Sequence, residues 1–180
     1  MKTKLEKNEL WFDKYPNSFT NRVKETIKFI NPTGAVADCG ENNPMKESIE
    51  KHFNTKITSL NLNFNEKHSI TEKYDTILCF EVLEHVFNPL LFLEELKRIL
   101  NPNGKIYIST PYQYPQFLKA IHHYHEIPKD RLMWLFTEAN LHVVTSGKVT
   151  IAGNWYNHII GFRPILRYFQ KSRIFLLKVE

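Results

Sequence analysis

The sequence predicts an α/β fold, a three-layer α/β/α sandwich in which helices cover both faces of a mostly parallel sheet. Three observations point there. Apolar runs without polar alternation, at 34–38 and 74–80, suit strands buried on both faces. Segments of helical spacing separate such runs singly, which implies right-handed crossovers and parallel neighbours. Finally, 180 residues suit one domain, 1–180, able to bury a core without a metal or disulfide staple.

Phe19, Val23, Ile27 and Ile30 recur at helical spacing over 17–30 until Asn31-Pro32 stops the helix. Residues 1–31 are thus an N-terminal helical segment, and 34–180 form the core. Gly34-Ala35-Val36-Ala37-Asp38 reads as a buried strand ending in an acid. Pro44 suits a first helical position, with Met45, Ile49 and Phe53 on one stripe. Residues 56–60 and 74–80 read as the next two strands. Asn88-Pro89 combines a cap with a first-turn proline, and Leu90, Leu93, Leu96 and Leu100 carry the buried face of the helix that follows. Asn101-Pro102-Asn103-Gly104 then turns the chain into a strand at 105–109. A helix from near Pro128 to about Asn140 buries Leu132, Leu135, Phe136 and Ala139. Strand character resumes at 141–144 and, beyond an aromatic-rich stretch at 159–169, at 173–179.

Composition is that of an ordinary globular chain, 42% hydrophobic and 24% charged. The net charge of +5 includes a basic tail, Arg163, Arg167, Lys171, Arg173 and Lys178. Such a tail is either a solvated face or an attraction for an anionic substrate or surface. It contains no nucleic-acid reading motif, so no specific nucleic-acid partner is expected. Cys39 and Cys79 lie in strand-like segments without metal-ligand spacing and are expected as buried, reduced thiols. No apolar membrane span or signal core is found, and a cytoplasmic location is expected.

In open parallel sheets ligands bind beyond the carboxyl ends of strands, so Asp38, Asn61 and Glu81 should share one rim. Within Asp38-Cys39-Gly40-Glu41-Asn42-Asn43-Pro44, Gly40 permits close backbone approach, and the helix that follows offers amide donors to a carboxylate or phosphate. An ordinary strand-to-helix turn fits the same residues.

The run from Tyr74 through Glu81-Val82-Leu83-Glu84-His85, then Asn88-Pro89, then Leu100 through Gly104 to Thr110-Pro111, resembles the fourth-strand to fifth-strand block of class I S-adenosylmethionine-dependent methyltransferases. His125-Glu126 and Glu138-Ala139-Asn140-Leu141 resemble the family's later segment. The resemblance implies a Rossmann-like fold with an antiparallel C-terminal strand. It also implies S-adenosylmethionine as cofactor and methyl transfer to a small-molecule acceptor as the activity. On it, Asp38, Cys39 and Gly40 match the motif that meets the methionine moiety, and Asn61 stands at the ribose position. Phe80 and Glu81 border the methionine side, while Asn63-Phe64 either replaces part of the adenine pocket, with Phe64 stacking on the base, or supplies a plain core or rim aromatic. Asn42 and Pro44 replace family glycines, Asn61 replaces an acid, and the stretch before Tyr74 leaves no room for a full helix plus the usual third strand. Those departures suit an alternative, a methyltransferase-fold binding or scaffolding protein without catalysis.

The candidate catalytic groups are His125, as a general base beyond the fifth strand, and His85. Glu84-His85 has two readings. One is a helix start with a hydrogen-bonded histidine. The other, implied by resemblance to a subset of quinone-biosynthesis O-methyltransferases, is a divalent-cation site with Glu81. His122, His123 and His125, with Tyr124 and Glu126, match no zinc spacing and read as a substrate-facing loop beside the aromatics Tyr112, Tyr114 and Phe117. No metal is assigned.

Overall fold

The computed structural model describes residues 16–40, 43–60, 66, 69–113, 123–150 and 171–179. Asn42, Asn61, Asn63, Phe64, Tyr114, Phe117, His122, Arg163 and Arg167 lie outside the described residues. In chain order the elements are helix α1 (Pro16–Phe29), strand β1 (Val36–Asp38), α2 (Pro44–Phe53), β2 (Ile57–Ser59), β3 (Tyr74–Phe80), a 3-10 turn (Leu83–His85), α3 (Pro89–Arg98), β4 (Leu100–Pro111), α4 (Lys129–Glu138), β5 (Leu141–Thr150) and β6 (Lys171–Val179).

The six strands are ordered β2-β1-β3-β4-β6-β5. β2, β1, β3 and β4 run parallel, and β6 is antiparallel to both its neighbours, β4 and β5. Among the described residues β2 is the sheet edge, and no third strand lies beyond it. The sandwich, the mostly parallel sheet and the reversed last strand agree with the sequence expectation.

Each sheet face has its own core. On one, Val23 of α1 and Met45 and Ile49 of α2 pack with Val36, Leu78, Tyr107, Val149 and Ile174. On the other, Phe92, Leu93 and Leu96 of α3 and Leu132, Leu135 and Phe136 of α4 pack with Ile77, Cys79, Ile106, Ile108 and Phe175. Both cysteines are free and buried. Burial and the neighbouring Cys39 thiol push the Cys79 thiol well above its ordinary range. α3 starts as predicted, with Asn88 Oδ1 accepting the Leu91 amide at 3.1 Å. The stripe runs through Phe92, whereas Leu90 is only partly buried.

Two strand boundaries differ from expectation. Leu100 already pairs with Tyr74, but Thr76 pairs with Lys105, so the Asn101–Gly104 turn is a bulge inside β4. Asn103 takes the left-handed conformation (φ 64°), and Asn101 Nδ2 donates to Asp75 Oδ1 at 2.8 Å. β5 continues beyond residue 144 because β6 supplies a ladder along its whole length. The polar run Thr145-Ser146-Gly147-Lys148 hides that continuation from any apolar pattern. No helix among the described residues is long and apolar enough to cross a membrane.

One carboxylate joins the starts of three strands. Asp75, on β3, accepts the Ala35 amide at 2.8 Å through Oδ2 and holds Asn101 of β4 through Oδ1. Gly34 makes this possible, since its φ is +67° and a Cβ there would lie 2.1 Å from Asp75 Oδ2. Gly34→Ala is therefore expected to lower the unfolding free energy by about 1–3 kcal/mol, measured by urea denaturation. An unchanged midpoint would show that the clamp contributes nothing.

Candidate active site

β1 and β3 are neighbours, with Asp38 opposite Leu78, so the residues that follow each strand emerge side by side. The Cys39 amide donates to Leu78 O and the Leu60 amide to Asp38 O, both at 2.8 Å. Asp38 is buried. Burial pushes its carboxyl up to about 7, against the opposing pull of the Gly40 amide, the Lys46 charge and the Asn43 side chain.

The start of α2 departs from expectation. Asn43 Oδ1 accepts the amides of Met45 and Lys46, each at 3.0 Å, and Pro44 has no N–H. The helix N-terminus therefore caps itself, and its first donors are engaged within the loop. Among the described residues of this loop, Gly40 suits a close backbone approach. It is half-buried, and a Cβ would sit 3.1 Å from Asp38 Oδ2 and 3.3 Å from Asn43 Nδ2, so a side chain there would crowd both groups and shift them by a few tenths of an ångström. Cys39 and Gly40, after β1, fit the methionine portion of S-adenosylmethionine by that backbone approach. They do not fit it by a free helix terminus.

After Phe80, half-buried at the end of β3, Glu81 takes a left-handed conformation (φ 56°), uncommon for a residue with a side chain. Three contacts hold it. Its amide donates to Ser109 O at 3.0 Å, Ser109 Oγ donates to Glu81 Oε1 at 2.8 Å, and Arg22 Nη2 lies 3.6 Å from the same oxygen. Arg22 and Ser109 went unnoticed in the sequence. Each is an ordinary polar residue of a helix or strand whose role arises only across 59 or 28 positions of chain.

Glu84 and His85 form a 3-10 turn, and α3 begins only at Pro89. The Glu84 carbonyl accepts the amides of Tyr124 (2.9 Å) and His125 (3.2 Å), which docks residues 123–128 on the turn. The Glu84 side chain is fully buried, and neither carboxylate oxygen has a hydrogen-bond partner among the described residues. Burial first, and then the Glu81 charge, pushes its carboxyl up to about 9. His85 Nε2 lies 4.0 Å from Glu84 Oε1, too far for a hydrogen bond, and the His123 ring stands edge-on to His85 with centroids 5.0 Å apart. One ligand atom from each of Glu84, His85 and His123 lies within 4.8 Å of the others. That spacing can hold a divalent cation. The set differs from Glu81, Glu84 and His85, because Glu81 is turned to Ser109 and Arg22 while His123 stands in the third place. His125, a candidate base, has Nε2 at 3.3 Å from Phe87 O.

A doubly wound sheet with a reversed last strand, and with a glycine turn and an acid-bearing turn side by side on its carboxyl rim, defines a Rossmann-like α/β domain built to hold a ligand at that rim. A family profile described as methyltransferase domain matches residues 16–146, and the chain belongs to the class I S-adenosylmethionine-dependent methyltransferase family. It is 29% identical over 82 residues to the ubiquinone biosynthesis O-methyltransferase of Haemophilus ducreyi, a match covering 45% of this chain and 34% of that protein. The chain thus spans about a third, or less, of the curated relatives it matches. Among solved structures it is similar to a Haloferax volcanii methyltransferase in complex with the Trm112 activator, with a TM-score of 0.66, 15% identity, and 97% and 95% of the two chains covered. It is also similar to an S-adenosylmethionine-dependent methyltransferase of Thermotoga maritima, with a TM-score of 0.64, 12% identity, and 98% and 96% covered.

Because the Asp38 carboxyl titrates higher in the native chain than in the unfolded one, the native state keeps a proton between about pH 4 and 7 that the unfolded state has released. Its contribution is most favourable below about pH 4 and falls by at most about 4 kcal/mol as pH rises to 7. Asp38→Asn should lack this slope, read from urea midpoints across that range. Parallel curves for the two proteins would refute it.

Proposed function

We propose that the chain transfers the methyl group of S-adenosylmethionine to a small-molecule acceptor lying over the carboxyl ends of β3 and β4. The observation that carries this reading is the held, left-handed Glu81, set beside the Asp38-Cys39-Gly40 turn on the neighbouring strand. When bound, the cofactor supplies an electrophilic methyl on a sulfonium. The acceptor atom forms its bond to that carbon as the carbon–sulfur bond breaks, leaving S-adenosylhomocysteine.

The chain's own residues position and neutralise. Cys39 and Gly40 present backbone to the methionine moiety, with Asn61, Asn63 and Phe64 assigned by resemblance to the ribose and adenine. Phe80 and Glu81 border the methionine side, and Arg22, 3.6 Å from Glu81, is a cation for its carboxylate. Most of the rate in such a displacement comes from alignment. If the acceptor gives up a proton, His125 Nδ1 or His85 receives it, because Glu84 is held protonated near neutral pH.

A second reading is favoured by the buried Glu84 carboxylate beside His85 and His123. A divalent cation held by these three would lower the pKa of an acceptor hydroxyl. The self-capped start of α2 favours the alternative without catalysis, a binding or scaffolding domain on the same fold.

Calorimetric titration of S-adenosylhomocysteine into the full chain separates these. Binding is expected, and Gly40→Val should weaken it by about tenfold or more, since a side chain there closes the backbone approach. No heat at millimolar ligand would leave the scaffolding reading standing. Added Mg²⁺ or Zn²⁺ should raise the thermal midpoint of wild type but not of Glu84→Gln. An equal rise in both would exclude Glu84 as a ligand.

A further inference from the structure

A group of cations lies on the same rim, one strand beyond the proposed methyl-transfer site. β6 lies between β4 and β5, and Thr110, Arg173 and Lys148 are cross-strand partners at one level. Nearer the rim, Lys171 pairs with Thr150, and its carbonyl accepts the Tyr112 amide at 3.1 Å. The Arg173 guanidinium lies 4.2 Å from the centroid of the Tyr112 ring, and Lys148 Nζ lies 6.0 Å from it.

The arrangement runs against sheet energetics, because like charges directly opposed on neighbouring strands are destabilising. Lys148 faces Arg173 across the ladder. Desolvation and then the Lys148 charge hold the Lys171 ammonium below the usual lysine range. No acid stands on these strands to relieve the repulsion. From Ala139 to Val179, and along all of β4, the chain contains no Asp or Glu. Arg173 also donates to Ile127 O at 3.2 Å, so residues 123–128 are held between the cations and the Glu84 turn.

We infer that the methyl acceptor carries an anionic group, a carboxylate or a phosphate, and that Arg173 and Lys148, over the Tyr112 ring, bind it together with Lys171 beside Lys148. The inference rests on the methyl-transfer reading for the word acceptor, though not for the anion site itself. Arg173 and Lys148 stand one and two strand spacings, about 5 and 10 Å, from β4, the strand that carries Ser109. A small molecule anchored by its anionic end therefore reaches back toward Glu81. An anion between Lys148 and Arg173 offsets their cross-strand repulsion, and the planar guanidinium suits a carboxylate or phosphate pair of oxygens.

The test titrates inorganic phosphate and, separately, 4-hydroxybenzoate into the full chain at one ionic strength set with sodium chloride. At least one is expected to bind with unit stoichiometry. The Lys148→Gln/Lys171→Gln double variant should weaken it by about tenfold or more, and Lys148→Arg/Lys171→Arg should retain it. Whether phosphate or the aromatic carboxylate binds more tightly identifies the anionic group. S-adenosylhomocysteine is titrated in parallel into wild type and the Gln variant. Equal binding to both shows the variant folded, whereas no binding to wild type defeats the methyl-transfer reading and leaves the anion result to stand separately. The anion site is overturned if neither probe binds, or if wild type and the folded Gln variant bind alike. A single-stranded oligonucleotide that binds far more tightly than either probe, and loses that affinity in the Gln variant, would also overturn it by making the cluster a polyanion surface.

Discussion

Everything at the rim depends on how the chain leaves β3. Ile77, Leu78 and Cys79 are buried between the two helical layers, so the chain can turn only after it clears both. It does so at Glu81 in a left-handed conformation, which Ser109 and Arg22 stabilise through the backbone and the carboxylate. That turn places Leu83 in the core and Glu84 beneath residues 123–128. It also brings His85 against His123, so one backbone conformation sets the positions of the other groups.

The rim is electrostatically divided. On the β1 and β3 side lie buried acids, Asp38 and Glu84, both pushed toward the protonated form by desolvation. On the β4, β6 and β5 side lie Arg173, Lys148 and Lys171 on strands without acids. Residues 123–128 lie between the halves, tied to Glu84 by two amides and to Arg173 by the Ile127 carbonyl.

Reading the chain alone recovered the helices and the central strands well, because caps and apolar spacing are local. Asn88-Pro89 starts α3, and 74–80 is β3. Reading failed where pairing outweighs pattern. The Asn101–Gly104 turn sits inside a ladder because Asp75 holds Asn101, and β5 runs on through polar residues because β6 pairs with it. At the site, Asp38, Gly40 and Glu81 were legible from their places after strands. Arg22, Ser109 and His123 as a neighbour of Glu84 were not, since nothing local marks a residue whose partner is distant in sequence.

The sequence by itself determined the layer order, the family and which residues follow each strand, since apolar period, caps and the Glu81–His85 run are properties of adjacent positions. Tertiary structure alone decided three further things: that Asn43 engages the amides of its own helix, that the Glu84 carboxylate is buried with no hydrogen-bond partner among the described residues, beside two histidines, and that Arg173 and Lys148 meet over Tyr112. Each depends on desolvation or on strand register. Neither exists until the sheet has closed over both of its cores.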